Sequence, residues 1–232
     1  MVPENQIKTE PISVRIKFKK YGSLIYISHL DLSRTMQRIM VRAGIDIWYS
    51  EGFNPQPKIV FAAPLPLGTE SECEYMDIKI NSYMSNEEIK ERLIKNSPPE
   101  LEIVSVYTPT CKFKEIAYIS YDIEINSPKN TKELSDIIGD MFNSEFKISK
   151  KTKSGEREVN ISEYIKSVKS AFIDGKIKIE AVLCADSEKY LNPELFMEAI
   201  KQKTGLLTSG KIDETYSIIR KAMLKADLST FE

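Results

Sequence analysis

Val14, Ile16 and Phe18 alternate with Arg15, Lys17 and Lys19 in SVRIKFK, residues 13–19, which is the two-residue period of a strand with one buried face. The period then lengthens. After Ser28, the apolar residues Leu32, Met36, Ile39, Met40 and Ala43 recur at helical spacing until Gly44 offers a stop. Ser28 and Asp31 have the Ser-x-x-acid form of a capping box, in which Asp31 reaches back to the cap. IDIWY at 45–49 and KIVFAA at 58–63 have strand composition, and ECEYMDIKI at 72–80 predicts another strand. Ser85 and Glu88 cap a helix to about Asn96, and LEIVSVY at 101–107 returns as a strand.

The rhythm repeats more faintly in the second half. It predicts a strand at 117–126, a helix at 131–142, strand-like pieces near 145–149 and 156–161, and one strand at 172–184. Asn192, Pro193 and Gly205 punctuate a helix over 191–205, and 211–224 reads as a closing strand. The predicted class is α+β. Two tandem ferredoxin-like (βαββαβ) units follow, with antiparallel sheets and helices on one face, over residues 11–110 and 115–228. The boundary is expected near Pro109 to Glu115.

EGFNPQPKIVFAAPLPLG, residues 51–68, holds four of the eleven prolines and two of the nine glycines. Prolines 55, 57, 64 and 66 fix backbone angles and withhold donors from a sheet. Such a preset segment can present Glu51, Asn54, Gln56 and Lys58 as a binding loop. It can equally be an irregular crossover packing Phe53, Phe61, Leu65 and Leu67 onto the sheet.

Apolar residues make up 41% of the 232 residues and charged ones 29%, the mix of a globular chain. No apolar run approaches the ~20 residues of a spanning helix, and the start lacks the regions of a signal peptide, so a cytoplasmic protein is expected. Cys73, Cys111 and Cys184 show no Cys-x-x-Cys spacing and read as buried thiols. Net charge is −1, but residues 11–62 hold eight Lys or Arg against three Asp or Glu, while 63–110 hold four against nine. One patch is basic.

Arg34, Arg38 and Arg42 fall at i, i+4 and i+8 on the first helix, with Asp31 three residues earlier, so the four share a stripe opposite the apolar face. A solvated surface is one explanation. Phosphate binding is the other, since the stripe uses only arginine in a lysine-rich chain and the guanidinium fork suits phosphate. His29, the one histidine, lies in the first turn of that helix, where it can support the cap, contact an anion or act as a base. A metal site is not expected without a second histidine. A second basic run, KISKKTKSGER at 147–157, places Lys150, Lys151, Lys153 and Arg157 around a hairpin that is either solvated or tracks phosphates. No P-loop, dinucleotide fingerprint, nucleophile elbow or zinc-protease motif occurs.

SLIYISHLDLSRTMQRIMVRAGIDIWYSEGFNPQPKIVFAAPLPLGTESECEYMDI resembles the signature of the radical-SAM-linked domain of unknown function. The motifs that carry the likeness are Ser28-His29-Leu30-Asp31, Arg38, Arg42, Glu51 to Pro55, Pro57-Lys58, Pro64 to Gly68 and Glu74-Tyr75. Gln56 departs from the histidine frequent at its position. The resemblance implies a partner, a radical S-adenosylmethionine protein with a cobalamin-binding region. The cofactors would belong to that partner, as no Cys-x3-Cys-x2-Cys motif is present and no cofactor of this chain's own is expected.

The expected function is a non-catalytic accessory module that binds RNA, transfer or ribosomal, at an arginine-lined cleft. Two alternatives stand beside it. One is a subunit that only docks to the radical enzyme through the apolar loop; the other is an endoribonuclease-like enzyme using His29 with Arg38.

Overall fold

The computed structural model describes residues 10–152, 155–186, 188–208, 210 and 212–232, with the side chains of 149–157 outside the description. The chain is mixed α+β with mostly antiparallel pairing, and the four α-helices among the described residues divide between two compact units. The first unit runs to Pro64 and resumes over Glu74–Thr110; the second takes Leu65–Cys73 and Cys111–Glu232. No helix among the described residues is long and apolar enough to cross a membrane.

The first unit begins with β1, Ile12–Lys20, followed by α1, His29–Arg42. Next come β2, Ile59–Phe61, and β3, Thr69–Ile80. Then α2, Asn86–Asn96, leads to β4, Leu101–Tyr107. Its strands lie in the order β4-β1-β3, with β2 antiparallel on β3. Val14, Ile16 and Phe18 of β1 and Met76, Ile78 and Ile80 of β3 form one buried face. Onto it pack Leu32, Met36, Ile39 and Met40 of α1 and Ile89 and Leu93 of α2. The Ser28 hydroxyl accepts from the Asp31 amide at 3.1 Å and donates to the Asp31 carboxylate at 2.6 Å. Asp31 therefore closes on the cap's hydroxyl.

Alternation on β1 is only partly a contrast between core and solvent. Arg15, on the polar side, is fully buried and gripped by Asp77 in a two-point pair, Nε to Oδ1 at 2.7 Å and Nη2 to Oδ2 at 2.9 Å. Arginine's planar fork, meeting the carboxylate at two points, makes such burial tolerable.

The second unit contains β5, Tyr118–Asn126, and α3, Lys132–Asp140. β8, Ile165–Ile173, and β9, Lys176–Cys184, precede α4, Pro193–Thr204, and β10, Thr215–Leu224. Strand order is β10-β5-β9-β8, and Thr69–Ser71, the stretch of β3 that belongs to this unit, pair in parallel with β10. Between α3 and β8, β6, Lys147–Thr152, and β7, Gly155–Asn160, pair with each other as a separate two-stranded sheet. Ile123, Ile179 and Ile218 line the face toward the helices, where the Ser135 and Ser170 hydroxyls meet at 2.8 Å.

Two expectations need correction. The single strand at 172–184 is a hairpin: Asp174 and Gly175, at φ 51° and 77°, turn the chain between β8 and β9. An Asp-Gly pair with both residues at positive φ is the turn that matches strand twist, and it outweighs the continuous apolar alternation. The strand-like pieces at 145–149 and 156–161 are strands, β6 and β7, paired with each other apart from the main sheet. IDIWY forms only isolated bridges, Ile47 to Ile80 and Tyr49 to Pro57, because the following prolines cannot extend a ladder.

The exposed face of the second unit sets Asp122 directly opposite Glu180 across β5 and β9. Burial raises the Asp122 carboxyl above its ordinary value of 3.8; Lys221 counters this, and Glu180 and Glu72 add to the rise. An acid whose folded pKa is raised loses stability as pH climbs from its unfolded pKa through the folded one. Asp122→Asn is therefore expected to stabilise the fold at pH 7, by about 0.5 kcal/mol or less given the group's exposure, read as a higher urea midpoint. The gain should vanish below pH 3.8; no gain at pH 7 would contradict it.

Candidate functional site

The apolar face of α1 is held by the core, so its remaining face must meet solvent. Arg34, Arg38 and Arg42 are all exposed, as the stripe requires. Their surroundings differ. Arg34 lies 3.6 Å from Asp31 with both side chains more than half exposed, a weak pair. Arg38 makes no hydrogen bond or ion pair with any described residue. Arg42 donates to the Asn96 carbonyl at the end of α2, at 2.8 Å.

Arg92 of α2 returns the contact. Its Nη1 donates to the carbonyls of Ala43 and Gly44, at 3.2 and 3.4 Å, and its Nη2 meets Glu88 at 2.6 Å. Each helix thus supplies a guanidinium to the carbonyls that the other leaves unpaired at its C-terminus, where a positive charge also complements the dipole. Arg42 has a structural duty that Arg34 and Arg38 do not share.

The loop after α1 is a closed projection. Tyr49 and Pro57 form a bridge, the Ser50 amide donates to the Gln56 carbonyl at 2.9 Å, and the Gln56 amide donates to the Ser50 hydroxyl at 3.0 Å. Glu51, Asn54, Gln56 and Lys58 are all exposed on it. The expected anchoring of this segment holds for some residues only. Leu65 is buried and Phe61 packs against the core, but Phe53 is 109% exposed and Leu67 58%. The projection is closed by its own backbone bonds, which leaves Phe53 free of any packing role. Gly68, at φ 77°, completes a turn in which the Thr69 amide donates to the Pro66 carbonyl, and L-residues rarely adopt that angle.

His29 is exposed and sets its ring edge-on to Phe61, with centroids 5.0 Å apart. Phe61 lies three residues beyond Lys58 in the chain. Arg38 lies nine residues further along α1, roughly 13 Å of helix rise, beyond hydrogen-bond reach of the imidazole. No hydrogen bond or ion pair among the described residues joins the arginine stripe to residues 51–58. A cavity of about 610 Å³ lies in the second unit, on the face carrying Asp122, Lys169, Lys178 and Glu180. Lys153 and the side chains of Lys150, Lys151 and Arg157 lie outside the described residues; the backbone around them is the β6–β7 hairpin. Among the described residues no cluster of His, Cys, Asp or Glu could hold a metal.

Trp48 and Lys79 are site residues that no motif in the sequence marks. Lys79 Nζ stands 5.7 Å from the centre of the Trp48 ring. The parity of β3 was the available signal, since Met76, Ile78 and Ile80 face the core and Lys79 must face away.

A family described as "Uncharacterized protein conserved in bacteria (DUF2344)" matches residues 13–193. The chain belongs to this family. The matched residues cover α1, the 50–56 projection and most of the second unit, so the family's extent includes every site residue named above. No curated protein matches the chain. Among solved structures it is similar to "Crystal Structure of an Unknown Protein from Galdieria sulphuraria", at 8% identity over 91% of this chain and 99% of that one, with a TM-score of 0.26.

The reciprocal caps make a direct prediction. Arg42→Ala and Arg92→Ala should each cost about 1 kcal/mol of stability or less for such exposed contacts, read as a lower thermal midpoint, and Arg38→Ala should not. Differential scanning fluorimetry checks this; equal effects at positions 38 and 42 would contradict it.

Proposed function

We propose that this chain is a non-catalytic accessory protein that binds RNA, transfer or ribosomal, and works beside a radical S-adenosylmethionine enzyme with a cobalamin-binding region. The observation that carries the proposal is the state of the α1 arginines. Arg38 stands exposed without a partner among the described residues, and Arg34 is only weakly engaged. Guanidinium groups left unneutralised on a rigid helix are suited to phosphate. The strand orders β4-β1-β3-β2 and β10-β5-β9-β8 support two ferredoxin-like units, a scaffold on which RNA is often bound, by analogy only. The separation of His29 from Arg38 favours binding over strand cleavage, because general acid–base chemistry needs its groups within reach of one substrate atom.

A purely protein-docking role is the second reading. It is favoured by Leu30 and Val41, 57% and 66% exposed on α1 beside the arginines. In that case a complex with the radical enzyme should survive nuclease and high salt.

The test is RNA binding by Arg34→Ala/Arg38→Ala, titrated between about 50 and 200 mM salt with bulk transfer RNA and ribosomal RNA fragments. The double variant should bind more weakly and its salt slope should fall by about 0.7–0.9 per arginine. Affinity and slope equal to those of the unaltered chain would exclude the stripe as the phosphate contact. Arg42 is left unaltered because its loss also uncaps α2.

A further inference from the structure

The geometry points to a single-strand nucleic-acid site at the 50–58 projection, with Phe53 as the ring on which a base stacks and Lys58 and Lys79 as contacts to the neighbouring phosphates. It rests on the RNA-binding proposal and adds where the bases go.

Four observations converge there. First, Phe53 is 109% exposed at the tip of a projection whose base is closed by the Tyr49–Pro57 bridge and the two Ser50–Gln56 hydrogen bonds. Pro55 and Pro57 leave the closed projection little backbone freedom to lose on binding. A benzyl ring with no internal packing is a cost in water, and stacking on a base relieves it.

Second, Lys58 and Lys79 are neighbours across strands: the Lys79 amide donates to the Lys58 carbonyl at 3.3 Å. Like charges so placed repel, and neither lysine has a carboxylate partner among the described residues. A phosphate would neutralise both. Third, Trp48 completes the corner. Its carbonyl accepts from the Lys58 amide at 2.9 Å, its amide donates to the Lys79 carbonyl at 2.7 Å, and its ring lies beneath Lys79 Nζ. Aromatic faces interleaved with cations are the surface a flexible strand needs. Fourth, the Asn54 and Gln56 amide side chains are exposed beside the ring and make no hydrogen bond among the described residues, leaving donors and acceptors for base edges.

The charge decides between ligand classes. An apolar pocket of a partner protein could receive Phe53, but it would have to desolvate two unneutralised ammonium groups alongside. A nucleic acid supplies the ring and the counter-charge together. It must be single-stranded, because bases stacked within a duplex offer no face to an outside ring.

The full chain is titrated with oligouridylate and oligoadenylate of about twelve nucleotides, a length within the range a small single-strand module covers. Trp48, the one tryptophan, reports by its fluorescence, and the anisotropy of a labelled oligonucleotide reports total binding. Saturable quenching is expected. Phe53→Ala should weaken binding about tenfold with no change in thermal midpoint, since the ring supports no packing. Lys58→Ala and Lys79→Ala should each lower the salt slope by about 0.7.

Unchanged affinity in Phe53→Ala would overturn the inference and assign the tip to a protein pocket. So would oligonucleotide binding with a silent Trp48 and sensitivity only to Arg34 and Arg38, which leaves the RNA-binding proposal intact. Binding of transfer RNA but of neither homopolymer would overturn the single-strand site alone, and failure to bind any RNA would remove both proposals.

Discussion

Burial of Leu32, Met36, Ile39 and Met40 against β1 and β3 is the constraint on which the first unit's surface depends. With these side chains removed from water, at ~1.5–3 kcal/mol each, rotation of α1 about its axis is fixed. Arg34 and Arg38 then have nowhere to go but solvent. The same packing brings the ends of α1 and α2 close enough for Arg42 and Arg92 to exchange caps. Arginines of similar appearance in the sequence acquire different duties: one clamps a helix end, one leans on its own N-terminal turn, and one is left without a partner among the described residues.

The projection at 50–58 follows a different logic. Its shape comes from proline geometry and a few hydrogen bonds, one of them to the Ser50 hydroxyl, rather than from burial, and the Phe53, Asn54, Gln56 and Lys58 side chains stay exposed. Stiffness without packing is costly to maintain unless the exposed groups have an external partner. The second unit offers a contrast. Its exposed strand face carries acids and bases that answer one another, as in the Lys176–Glu124 and Lys221–Glu72 pairs at 2.6 and 2.5 Å. Charge there is largely internally balanced; at Lys58 and Lys79 it is not.

Much of the element order was legible because local signals agreed. Ser28, Ser85 and Asn192 cap the helices they were expected to cap, and Gly205 adopts φ 69° at the end of α4. The apolar periods of β1, α1, β3 and β4 likewise match their elements. The failures came where two local signals competed. Alternation across 172–184 concealed the Asp174-Gly175 turn, and strand composition at 45–49 concealed the effect of the prolines that follow.

The arginine stripe was legible from spacing alone, and its exposure follows from the helix period. What could not be seen was long-range: that Arg42 reaches Asn96 across 54 residues, that Arg15 is buried on Asp77, and that Phe53 stays fully exposed. Such facts depend on which elements meet, and one-dimensional periodicity carries no record of that.

Photo-crosslinking of the full chain to a single-stranded RNA containing 4-thiouridine, with the crosslinked peptides sequenced, tests the central claim most directly. The account predicts adducts within residues 48–58, with weaker ones on α1 around Arg34 and Arg38. Adducts confined to the second unit, or a chain that yields none, would contradict it.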